Sequence, residues 1–188
     1  AVSRDWLPRL TALYRRPEAT GVRFLAQMNL PAEASTAYGC PREATLEVYC
    51  PAAEPALYLD LQWFAKPACR LPEALWLSFC PWRVSAGGWT LEKLGQWISP
   101  LEVIRNGNRH LHAVGAGVRY ADAHGGLVIE TLDAPLVAPG ERSLLDFHNR
   151  RPPLRGGMHL NLYNNLWGTN FPMWYEEDAR FRFVISNA

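Results

Sequence analysis

The sequence predicts a mainly β protein, an antiparallel β-sandwich with one short helix near its N-terminus. Apolar residues alternate with polar ones in several short runs, and this is the period of a half-buried strand. Aromatic residues make up 12% of the chain and include eight tryptophans, and such side chains favour strands. The runs do not alternate with helical patterns, so the sheets are expected to be antiparallel.

The N-terminal segment Arg4–Arg16 carries apolar residues at helical spacing, and Pro17 follows it as a stop signal. These residues are Trp6, Leu7, Leu10, Leu13 and Tyr14. We predict a short amphipathic helix here. Val22–Leu30 is compatible with either a strand or a helix, and the residues that follow it, up to Gly39, are predicted to form a connection. The predicted division is therefore 1–45, an N-terminal helix and connecting segment, and 46–188, a β-sandwich domain that belongs to a longer multidomain parent.

Period-two patterns then predict strands over Leu46–Cys50 and Leu57–Trp63, each with one core face. Gly125-Gly126 indicates a hairpin between two later strands, and Arg180–Ser186 reads as a closing strand. Asn106-Gly107 is a further hairpin signal, and it leads to a pair of histidines.

His110 and His112 are two residues apart, so on a strand both imidazoles would point to the same face. Such a pair, with Asp122 nearby, occurs in metal sites on sheets. It also occurs as polar surface or as hydrogen-bonded filling. We expect no metal and no cofactor, and we assign His112 to sugar contact.

The stretch Leu160–Trp174 combines amides with flat aromatic rings. Asparagine side chains carry a donor and an acceptor, and tryptophan offers an apolar face with one indole donor. A sugar, which has many hydroxyl groups and apolar C–H faces, needs both hydrogen-bonding groups and flat apolar rings. The alternative is a structural loop, because asparagine and glycine dominate turns for conformational reasons.

The loop Lys66–Glu73 holds charges between Pro67 and Pro72 and is a second candidate site. The alternative is a solvated loop in which Lys66 or Arg70 pairs with Glu73 at the surface, where an ion pair contributes little.

The composition of the chain limits the classes of partner that we expect. The formal charge of +1 gives no field for a phosphate backbone, so nucleic acid is not expected as a partner. No apolar run approaches the roughly 20 residues of a membrane helix, and we expect a soluble protein without a membrane partner. The four cysteines form no CxxC pair and read as buried thiols or as one or two disulfides, so the compartment stays open.

Several motifs together resemble the C-terminal β region of microbial proteins related to family 38 glycoside hydrolases, the α-mannosidase-like group. The motifs are Leu61–Pro67, Arg70–Trp76, Gly107–Val114, Glu130–Pro135 and Asn164–Pro172. The resemblance spans roughly residues 56–185, a region classed as a domain of unknown function. It implies a sugar-mutarotase-like β-sandwich, with the zinc-dependent hydrolytic centre in an upstream domain.

The resulting hypothesis is a non-catalytic, carbohydrate-associated domain that frames or binds glycan beside a missing N-terminal catalytic domain. The predicted substrate-binding residues are Trp167, Asn164, Asn165, Asn170 and His112, oriented by Arg70 and Glu73. One alternative is a self-sufficient glycosidase, lyase or epimerase, with candidate catalytic residues Glu73, His112 and Asp133. A purely structural interdomain module is the other alternative.

Overall fold

The computed structural model describes residues 4–82, 85, 87–144, 150–166 and 173–188. The protein is mainly β, with two antiparallel sheets and one short α-helix in the described part. This confirms the predicted fold class at the level of antiparallel sheets. Across those residues, no helix is long and apolar enough to cross a membrane.

The chain divides into two compact units. The first comprises Ala1–Glu73 and Trp167–Arg182, and the second comprises Ala74–Leu166 and Phe183–Ala188. The last strand, β13 (Ala179–Asn187), contributes its beginning to the first unit and its remainder to the second.

The first unit is an antiparallel meander ordered β1-β2-β3-β4-β13. Its strands before β13 are β1 (Arg9–Glu18), β2 (Gly21–Asn29), β3 (Glu43–Pro51) and β4 (Ala56–Trp63). Phe24 lies opposite Val48, which lies opposite Leu59, so these side chains share one apolar face. Strands β3 and β4 confirm the two strands predicted from the period of two.

The predicted N-terminal helix is wrong, because most of Arg4–Arg16 belongs to strand β1. A register shift between Leu10 and Ala12 explains the misleading spacing. It places Leu10 opposite Met28 and Leu13 opposite Ala26, two positions on one face of β2. One extra residue in a strand therefore produced an apolar spacing of three, which resembles a helix.

The α-helix, α1 (Ala32–Tyr38), lies where a connection was predicted. It ends at Gly39, which has a left-handed backbone with φ of 72° and donates its N–H to Ser35 O. Only seven residues long, it has no apolar periodicity that could be recognised, and its buried contact is Ala34.

The second unit contains strands from both sheets. Its part of the larger sheet runs β13-β10-β9-β6-β7, and the smaller sheet runs β5-β12-β11-β8. The bounds are β5 (Ala74–Phe79), β6 (Trp89–Lys93), β7 (Gln96–Ile98), β8 (His112–Ala113), β9 (Gly117–Asp122), β10 (Gly125–Thr131), β11 (Leu136–Pro139) and β12 (Met158–Asn164), with a 3-10 turn at Leu154–Gly156.

Apolar side chains from both sheets form the core of the second unit. Those from the larger sheet include Trp89, Leu91, Val118 and Ile129, and those from the smaller sheet include Val137, Met158 and Leu160. Each is almost completely buried, and burial of one such side chain contributes about 1.5–3 kcal/mol. The β9–β10 hairpin and β13 confirm the strands predicted there.

The predicted Asn106-Gly107 hairpin is wrong. Gly107 donates to Ile104 O in a tight turn, and Asn106 has a positive φ of 66°. This turn lies within a loop between β7 and β8, because β8 begins only at His112. His110 and His112 therefore do not share a strand, as the sequence pattern had suggested.

Candidate functional site

A surface of the first unit brings together residues 64–73, which follow β4, and residues 173–178, which precede β13. We call it the Arg70–Trp174 surface. The Arg70 guanidinium lies over the Trp174 ring, with its Cζ 4.6 Å from the ring centroid. The Trp174 side chain remains 44% exposed. A predicted site residue thus contacts a tryptophan of the predicted Leu160–Trp174 stretch.

A buried ion pair lies within this surface. Lys66 Nζ is 2.6 Å from Glu73 Oε1, and the side-chain exposures are 0% and 6%. The same ammonium donates to Pro67 O at 3.2 Å and to Tyr175 O at 3.3 Å. The pair is therefore buried, unlike the solvated pair considered from the sequence, and it joins the two segments of the surface.

Ala65 supplies a further link. Its φ of 49° is left-handed, a conformation that costs a non-glycine residue of order 1–3 kcal/mol. Its N–H donates to Asp178 Oδ1 at 2.7 Å. The strained residue and the buried ammonium are adjacent, so this turn has a fixed shape.

Arg70 has no acidic partner within the described residues. Glu73, the acid nearest to it in sequence, is paired with Lys66. A guanidinium that lies over a ring still carries N–H donors for hydrogen bonds to other groups. The Arg70–Trp174 surface therefore offers hydrogen-bond donors beside an exposed aromatic ring.

The predicted residues Asn164 and Asn165 lie in the second unit. Asn164 Nδ2 donates to Asn161 Oδ1 at 2.6 Å, and Asn164 Oδ1 accepts from Leu166 N at 3.4 Å. Asn165 is buried. These amides therefore take part in the structure of their own segment. Trp167 and Asn170 lie outside the described residues, and their assignment to sugar contact stays a prediction.

A cleft of about 270 Å³ lies in the second unit, and His112 lines it. We call it the His112 cleft. Its walls come from β6, the end of β7 and the loop before β8. They comprise Leu91, Lys93, Ile98, Ser99, Pro100, Glu102, Val103, Ile104, Asn108 and His112. The cleft thus combines apolar walls with several polar groups.

The His112 imidazole is neutral at neutral pH. Burial, with Lys93 as a second cause, lowers the pKa of His112 from 6.5 to about 4. Its Nε2 lies 3.3 Å from Arg109 O. A carbonyl only accepts, so Nε2 carries the proton and Nδ1 is left as an acceptor.

Arg109 fixes the loop that forms one wall. Its guanidinium donates to Leu101 O at 3.0 Å and to Val103 O at 3.1 Å. Asn108 Oδ1 accepts from His110 N at 2.8 Å, which closes a local turn. Although the loop contains no regular strand, it is held by side-chain hydrogen bonds.

The three candidate catalytic residues are distributed over both units. Glu73 belongs to the first unit, whereas His112 and Asp133 belong to the second. Asp133 is half-buried after β10 and does not line the His112 cleft. The described residues contain no group of three or more His, Cys, Asp or Glu residues that could hold a metal ion.

Sequence reasoning missed Lys93, Glu102 and Asn108. Lys93 lies two residues after Leu91, a spacing that places both side chains on one face of a strand. A charged residue at the end of a strand is common, however, and does not by itself indicate a site. The position of Glu102 and Asn108 depends on the path of an irregular loop, for which the sequence carries no periodic signal. Trp174 was part of the highlighted stretch but was not among the predicted contacts.

The chain was compared with protein-family models, with curated proteins and with solved structures. None of the three comparisons found a match.

Proposed function

We propose that this chain is a non-catalytic, carbohydrate-associated β domain that binds glycan at the Arg70–Trp174 surface. In this proposal it has a sugar-mutarotase-like sandwich fold and belongs to a parent related to family 38 glycoside hydrolases. The motif resemblance supports the parent class, and the two antiparallel sheets are compatible with the sandwich. Binding at the surface is supported by the geometry of its side chains.

The observation that carries the proposal is the partly exposed Trp174 ring with the Arg70 guanidinium over it. A pyranose ring has an apolar C–H face that stacks on an indole and a rim of hydroxyl groups that accept hydrogen bonds. Arg70 supplies N–H donors for those hydroxyls. Each such contact contributes on the order of 1 kcal/mol, so we expect modest affinity.

A role in packing against a second domain has its own support. In the first unit, Leu10 is 53% and Leu13 is 61% exposed, and Leu57 is exposed as well. By register, Leu10 and Leu13 share the face of Met28 and Ala26. An apolar sheet face of this kind is typical of an interaction surface. It is where the proposed catalytic domain would pack, and it also suits the purely structural alternative.

Independent catalysis has weaker support. Hydrolysis with retention requires two carboxyl groups about 5 Å apart, one of them protonated. Glu73 is held in a buried ion pair with Lys66. In the His112 cleft, Glu102 is the single carboxylate among the described lining residues.

Intrinsic tryptophan fluorescence tests the proposal. Titration with methyl α-mannoside and α-linked mannobiose is expected to change the emission of the wild-type chain, and Trp174→Ala is expected to abolish the change. Trp82→Ala is the matched control, because Trp82 is 94% exposed and lies in the second unit. No response across a broad glycan panel, or an unchanged response in Trp174→Ala, would contradict glycan binding here.

A further inference from the structure

The His112 cleft is close in volume to a small-ligand site. Ligand pockets in proteins usually measure about 300–1,000 Å³, and this cleft, at about 270 Å³, lies just below that range. It therefore suits a ligand of monosaccharide size and is too small for an oligosaccharide.

Lys93 places a positive charge in the cleft, whose lining also includes the carboxylate of Glu102. Its Nζ donates to Ala113 O at 2.8 Å, and burial lowers its pKa. An ammonium has three N–H donors, so two remain for other partners. Within the described residues, neither Lys93 nor the nearby Arg109 forms a salt bridge with a carboxylate. A partly buried cation without a counter-ion favours an anionic ligand.

The remaining polar groups of the cleft favour hydroxyl groups on that ligand. His112 and Glu102 both line the cleft, and the neutral His112 ring has an acceptor at Nδ1. Asn108 uses Nδ2 to donate to Leu111 O, and one N–H of this amide remains. A ligand with one anionic group and several hydroxyls would match these groups.

The cleft is also preorganised. The Arg109 bonds to Leu101 O and Val103 O fix the loop that supplies Glu102. Leu91 and Pro100 are buried and belong to its apolar lining. A wall that is already ordered loses little conformational entropy when a ligand binds.

We propose that the His112 cleft binds a small sugar acid, a hexuronate or an aldonate, with its carboxylate on Lys93 and its hydroxyls on Glu102 and Asn108. This site lies in the second unit, so it does not depend on glycan binding at the Arg70–Trp174 surface in the first. A free sugar acid and the terminal uronate of a glycan share this chemistry.

Calorimetric titration of the full chain tests the proposal, with D-glucuronate and D-gluconate as probes and D-glucose, acetate and inorganic phosphate as controls. The sugar acids are expected to bind more tightly than every control. Lys93→Gln is expected to weaken sugar-acid binding about 10-fold or more, because a charge-assisted hydrogen bond is lost. Arg15→Gln, which removes an exposed arginine of the first unit outside both proposed sites, should leave this binding unchanged. Methyl glucuronoside, whose anomeric carbon is blocked, distinguishes the two sources of the ligand. A site for the terminal uronate of a glycan should bind it, whereas a site for a free sugar acid should not.

Several results would overturn the proposal. If glucose binds as tightly as glucuronate, the carboxylate does not contribute to binding. If acetate binds as tightly, the hydroxyl groups do not contribute. Phosphate binding as tight as glucuronate would indicate a general anion site. Loss of binding in Arg70→Gln but not in Lys93→Gln would move the site to the first unit. If Lys93→Gln does not fold, glucuronate-dependent NMR shifts at Lys93 and His112 of the wild type decide, and unshifted signals contradict the proposal.

Discussion

At the scale of single residues, the Lys66–Glu73 pair is the most consequential contact of the Arg70–Trp174 surface. Its ammonium also bonds to the carbonyl of Tyr175 and so connects two distant segments. Removing one partner of a buried ion pair leaves the other charged and unpaired, whereas replacing both by apolar residues is often nearly neutral.

We therefore expect Lys66→Met to lower the free energy of unfolding by about 3–5 kcal/mol. The double variant Lys66→Met/Glu73→Leu should recover much of that loss. Urea unfolding followed by circular dichroism measures both. A loss below about 1 kcal/mol in the single variant would show that the pair does not stabilise this surface.

The lowered pKa of His112 predicts that the stability of the folded chain depends on pH. Its pKa is about 4 in the folded chain and near 6.5 in the unfolded chain, so the unfolded state binds a proton more readily between these values. Stability from this residue is fully present above pH 6.5 and is lost as the pH falls towards 4. The loss is at most about 3 kcal/mol.

Urea unfolding at intervals from pH 7 to pH 4 measures this dependence. His112→Asn should flatten the decline, although other acid-sensitive groups will leave some slope. His124→Asn is the matched control, because His124 is exposed and should leave the decline unchanged. An equal decline in wild type and His112→Asn would contradict a neutral buried imidazole.

At the scale of elements, the end of helix α1 is fixed by Gly39. Its φ is 72°, and a Cβ added at this position would overlap the Cβ of Cys69. Gly95, in the turn between β6 and β7, has a φ of 83° but meets no atoms within 4 Å. An alanine at either position would suffer backbone strain, but only an alanine at position 39 would also overlap a neighbouring side chain.

Gly95→Ala should cost about 1–2 kcal/mol of stability, the price of a left-handed alanine. Gly39→Ala should cost clearly more, because the Cys69 segment must also move. Thermal unfolding of the two variants provides the comparison. Equal melting temperatures would argue against close packing of α1 on the residue 64–73 segment.

The elements also show which parts of the fold the sequence could predict. Strands β3 and β4 alternate strictly and were recognisable from Leu46 to Trp63. Strand β1 was not, because its register shift gives Leu10 and Leu13 a spacing typical of a helix. The loop before β8 is held by Arg109 bonding to backbone carbonyls, and such bonds leave no periodic signal.

At the scale of the whole molecule, the candidate site was predictable only in part. Arg70, Glu73 and the Leu160–Trp174 stretch were identified from their residue types and their proline neighbours. The stacking of Arg70 on Trp174 depends on chain segments far apart in sequence, which no local pattern encodes. The pairing of Glu73 with Lys66 rather than with Arg70 likewise depends on burial.

The central claim is that the Arg70–Trp174 surface binds glycan, and saturation-transfer difference NMR tests it most directly. With α-linked mannobiose and the intact chain, irradiation of protein resonances should transfer saturation to the ring C–H protons of the sugar. Trp174→Ala should abolish the transfer, and Arg70→Lys should reduce it because the planar donor fork is lost. Absence of transfer in the wild type, or full transfer in Trp174→Ala, would contradict the claim.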